Sequence, residues 1–395
     1  MDGGVTSVHT RYHPHAAIAG LGITEMGKVY GRTATQFADE AVRLAAVDAG
    51  LALSEIDGLL VSGGISDDVH LDLQRSLGLK DLHVLAEMQS FGATAGAMVQ
   101  TASLAVAAGV VNAVACVFAD APLRESVSAG ASYTGGSASG WMGLLAAAGV
   151  LGANPLYALA ARRHIERYGT TTDQFGAIAV AQRAWAALNP LAQQRTPMTL
   201  DDHRSSRWIA EPFRLLDCCL VSNGGIAVIV TSPERAADLQ QPPVHVLGWG
   251  QAHPGHFLER FEEFGLVSGA VDSGPAALAM AGVSLSDIDV VELYDCYTYT
   301  VLISLEDYGF CAKGEGGAFV ESGALGPGGS LKLNTGGGQL SSYYMWGMTP
   351  LSEAIIQARG QAGERQVADH ELLLVSGNGG VLDHHSTLVL GTHPS

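Results

Sequence analysis

The sequence has little of what a secreted, membrane-spanning or nucleic-acid-binding protein would need. Five cysteines occur in 395 residues, with no Cys-x-x-Cys pair and no spacing suited to zinc, which fits a reducing compartment without a structural metal. The 21 Lys and Arg residues stand against 39 Asp and Glu residues, and the net charge of −18 argues against nucleic acid or an anionic membrane as a partner. Residues 1–15 contain no run of signal-peptide type, and no later run reaches the roughly 18 apolar residues that span a bilayer. We therefore expect a soluble cytoplasmic protein.

An internal repeat is the most informative pattern in the chain. Residues 49–57 read AGLALSEID and recur at 281–289 as AGVSLSDID, an offset of 232 residues. An Ala-rich helical pattern precedes each copy and an apolar strand pattern follows it. We expect the helices to stop at Gly50 and Gly282, because glycine adopts the left-handed conformation that ends a helix. Candidate first strands lie upstream, at 16–21 and 244–249.

The parallel continues downstream and predicts a duplicated α/β unit. A Gly-rich stretch opens a helix in both halves, at 92–96 and 336–338, and apolar strands follow at 113–118 and 372–375. Asn-Gly-Gly occurs at 223–225 and 378–380, and each copy predicts the start of a terminal hairpin strand. Alternating strands and helices favour mostly parallel sheets buried on both faces. We predict an N-terminal half at 1–242 and a C-terminal half at 243–395.

A long insertion at about 121–216 distinguishes the first half from the second. It holds a Gly/Ser-rich piece at 126–140 and helical patterns at 157–168 and 171–187. Long insertions on a rigid scaffold commonly build a ligand site. Eight of the 21 Lys and Arg residues fall between Arg162 and Arg214, so an anion-binding patch could form there. A solvated helix face is the alternative.

A duplicated unit with such an insertion resembles the thiolase superfamily, and the local sequence resembles its sterol-carrier branch. The resemblance is strongest at AARRH (160–164), IAEPFRLLDCC (209–219) and NGG (223–225), and it covers nearly the whole chain. It implies the thiolase fold, in which two βαβαβαββ halves form a layered α/β/α/β/α body.

The chain departs from that family at the catalytic positions. Thiolases carry a nucleophilic Cys at the Gly-rich start of the first half's central helix, where this sequence reads GATAG at 92–96, and the second cysteine position, near Gly377, also lacks one. The branch's His-Asp-Cys-Phe motif reads YDCY at 294–297, and its Gly-His-Pro histidine corresponds to Tyr344. Both histidine positions are thus tyrosine, Tyr294 and Tyr344. The alternative is that Tyr294 and Tyr344 are simply packed aromatic residues. In that case Tyr294 would alternate with Tyr297 and Tyr299 along a strand.

The tyrosines make the chain resemble the steroid side-chain-cleaving aldolases. That resemblance implies an aldolase, a carbon–carbon lyase that cleaves a β-hydroxyacyl-CoA by a retro-aldol reaction. The implied substrate is a 17-hydroxy steroid C-22 CoA thioester, and the implied products are a 17-ketosteroid and propionyl-CoA. The reaction needs a base for the hydroxyl proton, a stabiliser for the thioester enolate and an acid for its carbon. Tyr294 and Tyr344 would share these roles, and the sequence does not say which does which.

Other parts of the site follow from the same resemblance. Backbone N–H groups at Gly92, Gly379 and Gly380 are candidates to bind the thioester oxygen, because glycine lets the main chain approach closely. The alternative is that these glycines form tight turns that only close the fold. Arg162 and Arg167 are candidates for the phosphates of the coenzyme A that the substrate carries. The chain itself is expected to bind no cofactor and no metal.

The resemblance also implies partners, and two other functions stay open. It implies a homodimer core and an OB-fold, zinc-ribbon-type partner domain associated with a MaoC-like hydratase, with any zinc belonging to the partner. One alternative is a non-catalytic acyl-CoA or lipid-binding scaffold. The other is an acyl-CoA lyase or decarboxylase that cuts a different carbon skeleton.

Overall fold

Two five-stranded units form one ten-stranded sheet in the computed structural model, which describes residues 16–130 and 140–394. A separate two-stranded sheet joins β5 and β6. The strands are β1 (Ala17–Ile23), β2 (Gly58–Gly63), β3 (Val84–Glu87), β4 (Ala113–Asp120), β5 (Trp208–Ala210), β6 (Phe213–Arg214), β7 (Gly224–Thr231), β8 (Val244–Ala252), β9 (Val290–Glu292), β10 (Lys332–Leu333), β11 (Leu372–Gly379) and β12 (His384–Gly391).

Helices connect the strands and also build the insertion. They are α1 (Ala34–Ala49), α2 (Leu73–Leu77), α3 (Thr94–Ala107), α4 (Gly140–Ala147), α5 (Ala153–Tyr168), α6 (Thr172–Ala187), α7 (Leu200–Ser205), α8 (Pro233–Ala237), α9 (Ala270–Ala281), α10 (Thr298–Tyr308), α11 (Gly316–Glu321) and α12 (Met348–Ala358). Among the described residues, no helix is long and apolar enough to cross a membrane.

The strand order confirms the duplication that the sequence predicts. Read outward from the centre of the sheet, the first unit runs β1-β7-β4-β2-β3 and the second runs β8-β12-β11-β9-β10, so each strand has a counterpart. The units meet where β1 pairs antiparallel with β8, with Ala17 opposite His245. The predicted division after residue 242 falls between α8 and β8.

Helices on and between the two units give the layered body that the resemblance implies. Helix α1 covers β1, β7 and β4 of the first unit, and α9 covers β8 and β12 of the second. Helix α3 packs against β4 and β7 on one side and against β11 and β12 on the other. Its buried Met98 and Val99 share one apolar core with residues of both units, so α3 lies in the central layer and its N-terminus lies beside β11.

The two copies of the repeat end their helices in the same way. Gly50 has φ of 75° and Gly282 has φ of 72°, and each caps a helix in the left-handed conformation. A short 3-10 turn and a buried strand follow in both halves. The predicted stop signals are therefore confirmed.

The helix α6 and the chain after it in the insertion pack onto the second unit. The Trp185 indole N–H donates to the carbonyl of Leu325 at 2.9 Å, and the Asn189 side chain donates to the carbonyl of Gly336 at 2.8 Å. Thr171 caps α6, because its side chain accepts from the backbone N–H of Gln174. Part of the Gly/Ser-rich piece, residues 131–139, lies outside the described residues.

One local expectation is wrong and another is confirmed. Tyr294, Tyr297 and Tyr299 do not alternate along a strand, since β9 ends at Glu292 and Tyr299 lies inside α10. The chain leaves the buried parallel strand β9 at its carboxyl end there, where side-chain alternation no longer reports the structure. The second Asn-Gly-Gly ends β11 and leads, after a short turn, into β12, which pairs antiparallel with β11 as the predicted terminal hairpin strand.

Candidate active site

Tyr294 lies where the chain leaves β9, and its position follows from that strand. β9 pairs in parallel with β11 and with β10, so its carboxyl end opens at the same edge of the sheet as theirs. The Tyr294 side chain is buried, with 3% of its surface exposed. Two residues later the backbone turns, and α10 begins after Tyr297. The edge formed by parallel carboxyl ends is a common place for a ligand site in α/β proteins.

Tyr344 lies 50 residues after Tyr294 in the chain and follows a turn that brings it to the same edge of the sheet. Residues 338–342 form one turn of π-helix, and the chain is extended at Tyr343 before α12 begins at Met348. The Tyr344 backbone N–H donates to Ser222 Oγ at 3.1 Å. Its hydroxyl lies 3.1 Å from that of Tyr294. Two motifs that the sequence shows only as separate are therefore in hydrogen-bond contact.

Asp295 connects the two tyrosines through the backbone. Its carboxylate accepts hydrogen bonds from the backbone N–H groups of Gln339 at 2.9 Å and Leu340 at 3.1 Å. A Cβ at Gly338 would lie 2.1 Å from this carboxylate, so the turn fits only because residue 338 is glycine. Burial raises the pKa of Asp295 to about 7, although the backbone donors act in the opposite direction.

Gly92 lets a third chain segment approach the tyrosines. A Cβ at this position would lie 2.2 Å from the ring of Tyr294 and 2.3 Å from the carbonyl oxygen of Asn378. Its own carbonyl oxygen would lie 2.3 Å from a Cβ at Gly347 and 2.6 Å from one at Gly377. Three segments thus cross where only glycine fits. The predicted role of Gly92 as an oxyanion donor stays a prediction, but its place beside Tyr294 is clear.

Gly379 and Gly380 lie at the carboxyl end of β11, next to the same segment. A Cβ at Gly379 would lie 1.9 Å from the carbonyl oxygen of Ser90, and Gly380 has φ of 65°. The Gly380 carbonyl accepts a hydrogen bond from the hydroxyl of Tyr157 at 2.6 Å. The structure brings both glycines to the tyrosine edge, and their predicted role as oxyanion donors stays a prediction.

Several arginines of the basic segment have partners within the protein. Arg162 lies on the exposed face of α5 and pairs with Glu166 at 3.2 Å and Glu211 at 3.8 Å. Arg167 is exposed on the same helix. Arg204 pairs with Asp173 and Asp201, while Arg183 turns inward and donates to Ser341. Coenzyme A binding by Arg162 and Arg167 stays a prediction, and acidic neighbours already compensate the charges of Arg162 and Arg204.

The cysteines near this site are poorly suited to act as nucleophiles. Cys296 is buried between Tyr294 and Tyr297, and burial raises the pKa of its thiol to about 12. Burial also raises the pKa of Cys219 well above its usual range. A thiol in this state is protonated at neutral pH and is a poor nucleophile. Within the ranges 16–130 and 140–394, no group of three or more His, Cys, Asp or Glu side chains is arranged to hold a metal ion.

Sequence reasoning missed several residues at this edge. Tyr157 of the insertion packs on Tyr297, with ring centroids 4.7 Å apart, and its hydroxyl reaches Gly380. Phe91 and Trp346 both have left-handed backbones, with φ of 52° and 46°. Asp295 could have been found, since it lies within the YDCY motif. The sequence does not single out Tyr157, Phe91 or Trp346. Phe91 is notable only because it precedes the Gly-rich stretch, and Trp346 only because it lies near Tyr344.

Comparisons with known proteins identify the family of this chain. Residues 250–392 match a family model described as thiolase C-terminal domain-like. The chain is 39% identical to a steroid side-chain-cleaving aldolase of Thermomonospora curvata, with 95% of this chain and 97% of that one covered. It is 36% identical to a 17-hydroxy-3-oxo-4-pregnene-20-carboxyl-CoA lyase of Mycobacterium tuberculosis, with 95% and 99% covered.

Solved structures show the same relationship. A structure described as an Ltp2-ChsH2(DUF35) aldolase superposes with a TM-score of 0.86 at 37% identity, covering 96% of this chain and 98% of that one. A monomeric SCP2-thiolase-like protein type 1 from Mycobacterium smegmatis superposes with a TM-score of 0.73 at 20% identity, covering 97% and 78%, and supports the fold alone. The chain therefore belongs to the thiolase superfamily, in the group that contains the steroid side-chain-cleaving aldolases.

Proposed function

We propose that the protein is an aldolase that cleaves a β-hydroxyacyl-CoA by a retro-aldol reaction. The proposed substrate is a 17-hydroxy steroid C-22 CoA thioester, and the products are a 17-ketosteroid and propionyl-CoA. The observation that carries the proposal is the 3.1 Å contact between the hydroxyls of Tyr294 and Tyr344 at a site without a reactive thiol. Relatives with 36% and 39% identity carry names that describe this chemistry.

The tyrosine pair suits the proton balance of this reaction. The β-hydroxyl loses a proton as its oxygen becomes a ketone, the carbon–carbon bond breaks, and the bonding electrons form the thioester enolate. The enolate α-carbon then takes up one proton, so the reaction neither releases nor consumes protons overall. Two hydroxyls in contact can pass a proton along: one accepts from the substrate, gives its own proton to the other, and the second protonates the carbon.

This relay avoids a free phenolate in the resting enzyme. Tyrosine has an ordinary pKa near 10 and is a weak base at neutral pH. In the relay each hydroxyl accepts one proton as it donates another, so neither must be ionised beforehand. The assignment of the two tyrosines along the relay stays open, because the 3.1 Å contact lets either hydroxyl be the donor.

A DUF35-type partner is part of the proposal. The similar solved structure is described as an Ltp2-ChsH2(DUF35) aldolase, and this chain covers 98% of the matched chain there. We propose that the protein works with such a partner. An OB-fold and zinc-ribbon architecture for that partner, and its link to a MaoC-like hydratase, are expectations from the family resemblance.

The direct test is product formation. The purified chain, alone and with a DUF35 partner, is incubated with a 17-hydroxy steroid C-22 CoA thioester, and the products are identified by mass spectrometry. We expect propionyl-CoA and the 17-ketosteroid in equal amounts. Binding without cleavage in the presence of the partner would favour the scaffold alternative, and a different acyl-CoA product would favour cleavage of another skeleton.

A further inference from the structure

Phe91 has both a strained backbone and an exposed apolar side chain. Its backbone has φ of 52°, a left-handed conformation that is strained for a residue with a Cβ. Its apolar side chain is also 47% exposed. Strain of this kind persists where the surrounding structure enforces it, and it is concentrated at ligand and catalytic sites. Phe91 directly precedes Gly92, which touches Tyr294, so its position matters for the candidate site.

Phe91 belongs to a row of aromatic rings that runs from the surface into the core. Its ring is stacked with His384 at 6.4 Å between centroids and lies 5.8 Å from Trp346. Trp346 in turn stacks on the buried Phe118 at 4.9 Å. Behind Phe91 and Trp346 lies a gap too narrow for a water molecule, lined by apolar groups such as Met98. The inner side of the row is thus packed, and Phe91 presents ring surface outward.

The aromatic row adjoins the tyrosine pair through the backbone on both sides. Gly92 follows Phe91 and lies against the ring of Tyr294. Trp346 lies two residues after Tyr344, and its carbonyl oxygen accepts from the Gln339 side chain in the turn that Asp295 holds. The exposed Phe91 is therefore one residue from the glycine that lies against the ring of Tyr294.

The proposed substrate needs such a surface. The bond that breaks joins the side chain to a carbon of the steroid ring system, so the rigid, apolar rings must lie next to the hydroxyl pair. Aromatic side chains offer large apolar area with little loss of conformational freedom. The coenzyme A arm, with its amides and phosphates, matches this surface less well than the rings do.

We propose that Phe91 forms the surface that holds the apolar ring system of the steroid substrate, and that Trp346, which is only 6% exposed, supports the Phe91 ring from behind. The inference rests on the proposed function, because the ring system comes from that substrate. It makes Phe91 a determinant of specificity for large apolar β-hydroxyacyl groups. The left-handed backbone at Phe91 aims the ring outward, where it meets the substrate instead of the core.

The test compares two thioesters with the same reacting atoms. One is the steroid substrate, and the other is an acyclic tertiary β-hydroxyacyl-CoA without rings. Phe91→Ala should raise KM for the steroid by about 10-fold or more, the effect of losing one aromatic contact, while kcat/KM for the acyclic thioester changes less than about 2-fold. Trp346→Phe should shift KM in the same direction by a smaller factor. The control is Phe261→Ala, since Phe261 is also exposed and left-handed, with φ of 37°.

A second substitution separates the ring from its backbone. Phe91→Gly also removes the ring but relieves the left-handed strain, so it should match Phe91→Ala in KM if the ring itself binds the substrate. Equal losses on both thioesters, or no loss on either, would overturn the inference. Dissociation of a wild-type dimer by Phe91→Ala, seen by sedimentation, would also overturn it, because the ring would then contact a second copy.

Failure of the proposed function would look different. The wild-type protein would then cleave neither thioester. Equilibrium dialysis with the steroid acid that lacks coenzyme A would still report ring binding. Wild-type protein that binds this acid while Phe91→Ala does not would support the aromatic surface, and equal binding by both would overturn it.

Discussion

Both carboxylate oxygens of Asp295 lie 2.9 Å from the backbone nitrogen of Gln339, which donates its N–H to them. Asp295 directly follows Tyr294, and Gln339 lies in the turn that leads to Tyr344. A buried carboxylate with backbone donors is held in a fixed position. Through this bond, the residue beside one tyrosine sets the path of the chain that carries the other.

Removing either tyrosine hydroxyl should stop the proposed relay. Tyr294→Phe and Tyr344→Phe each delete one oxygen and keep the ring, so cleavage should fall by about 10²-fold or more while the fold survives. If both belong to one path, the double variant should be scarcely slower than the slower single variant. Single-turnover release of propionyl-CoA measures the effect.

Two controls accompany the tyrosine variants. Tyr343→Phe removes a neighbouring buried hydroxyl that contacts Ser352 at 3.0 Å, and it should leave kcat nearly unchanged. Cys296→Ala should keep most of the activity, because the relay needs no thiolate. If Tyr294→Phe and Tyr344→Phe both keep near-full activity while Cys296→Ala is inactive, the chemistry depends on the Cys296 thiol instead.

Asp295 should make stability fall as pH rises toward neutrality. Burial raises its pKa from 3.8 to about 7, so the folded state holds the proton more tightly than the unfolded chain does. The resulting stabilisation is complete below the unfolded pKa and is lost as pH rises through about 7. Its full extent is ~4 kcal/mol in the free energy of unfolding, from ~1.4 kcal/mol per unit of pKa shift.

The measurement is urea unfolding of wild type and Asp295→Asn between pH 5 and 8. The difference in unfolding free energy between the two should change across this range, with the wild type losing stability relative to the variant as pH rises. Asp57→Asn is the control, because backbone and side-chain hydrogen bonds from Asn112 and Ala113 lower the pKa of Asp57 although burial opposes this. Its contribution is lost only as pH falls toward 4, so its difference from wild type should be constant. A constant difference for Asp295→Asn as well would contradict the assignment.

Charge reversal on α5 tests the predicted coenzyme A contact. Arg162→Glu or Arg167→Glu should raise KM with little change in kcat, as expected when binding is lost equally from the ground and transition states. Arg204→Glu is the matched control, since Arg204 is about as exposed as Arg162 and likewise pairs with two acidic side chains, Asp173 and Asp201, but lies on α7. If KM is the same for all three variants and wild type, the arginines on α5 do not hold the nucleotide.

The free edge of β3 should mediate the predicted homodimer. β3 is the outermost strand of the first unit, and Leu85 on it is 36% exposed. Exposed edges of this kind pair readily with another copy. Leu85→Lys should shift the protein toward monomer in sedimentation velocity. Leu191→Lys, at a residue of the insertion that is 49% exposed, should not. An active wild-type monomer would contradict the prediction.

The amino-acid sequence by itself determined the duplicated architecture and the residue types at the site. The repeat at 49–57 and 281–289 acts through local rules, because helix stops at Gly50 and Gly282 depend only on the conformations that glycine allows. The lack of a cysteine at 92–96 and the tyrosines at 294 and 344 are likewise fixed by the sequence, since they depend on which side chains are present.

Only the tertiary structure decided how those side chains meet. The 3.1 Å contact between Tyr294 and Tyr344, and the hold of Asp295 on the turn before Tyr344, join segments about fifty residues apart. Such contacts depend on strand order and on the direction in which each strand ends, which a local pattern does not report. The charge of Arg162 is compensated by acids that folding brings to it, and the strained backbone of Phe91 is enforced by its neighbours. The type of each residue is fixed by the sequence at that position. The distance between two side chains, the strain in a backbone and the pairing of a charge arise only when the chain packs.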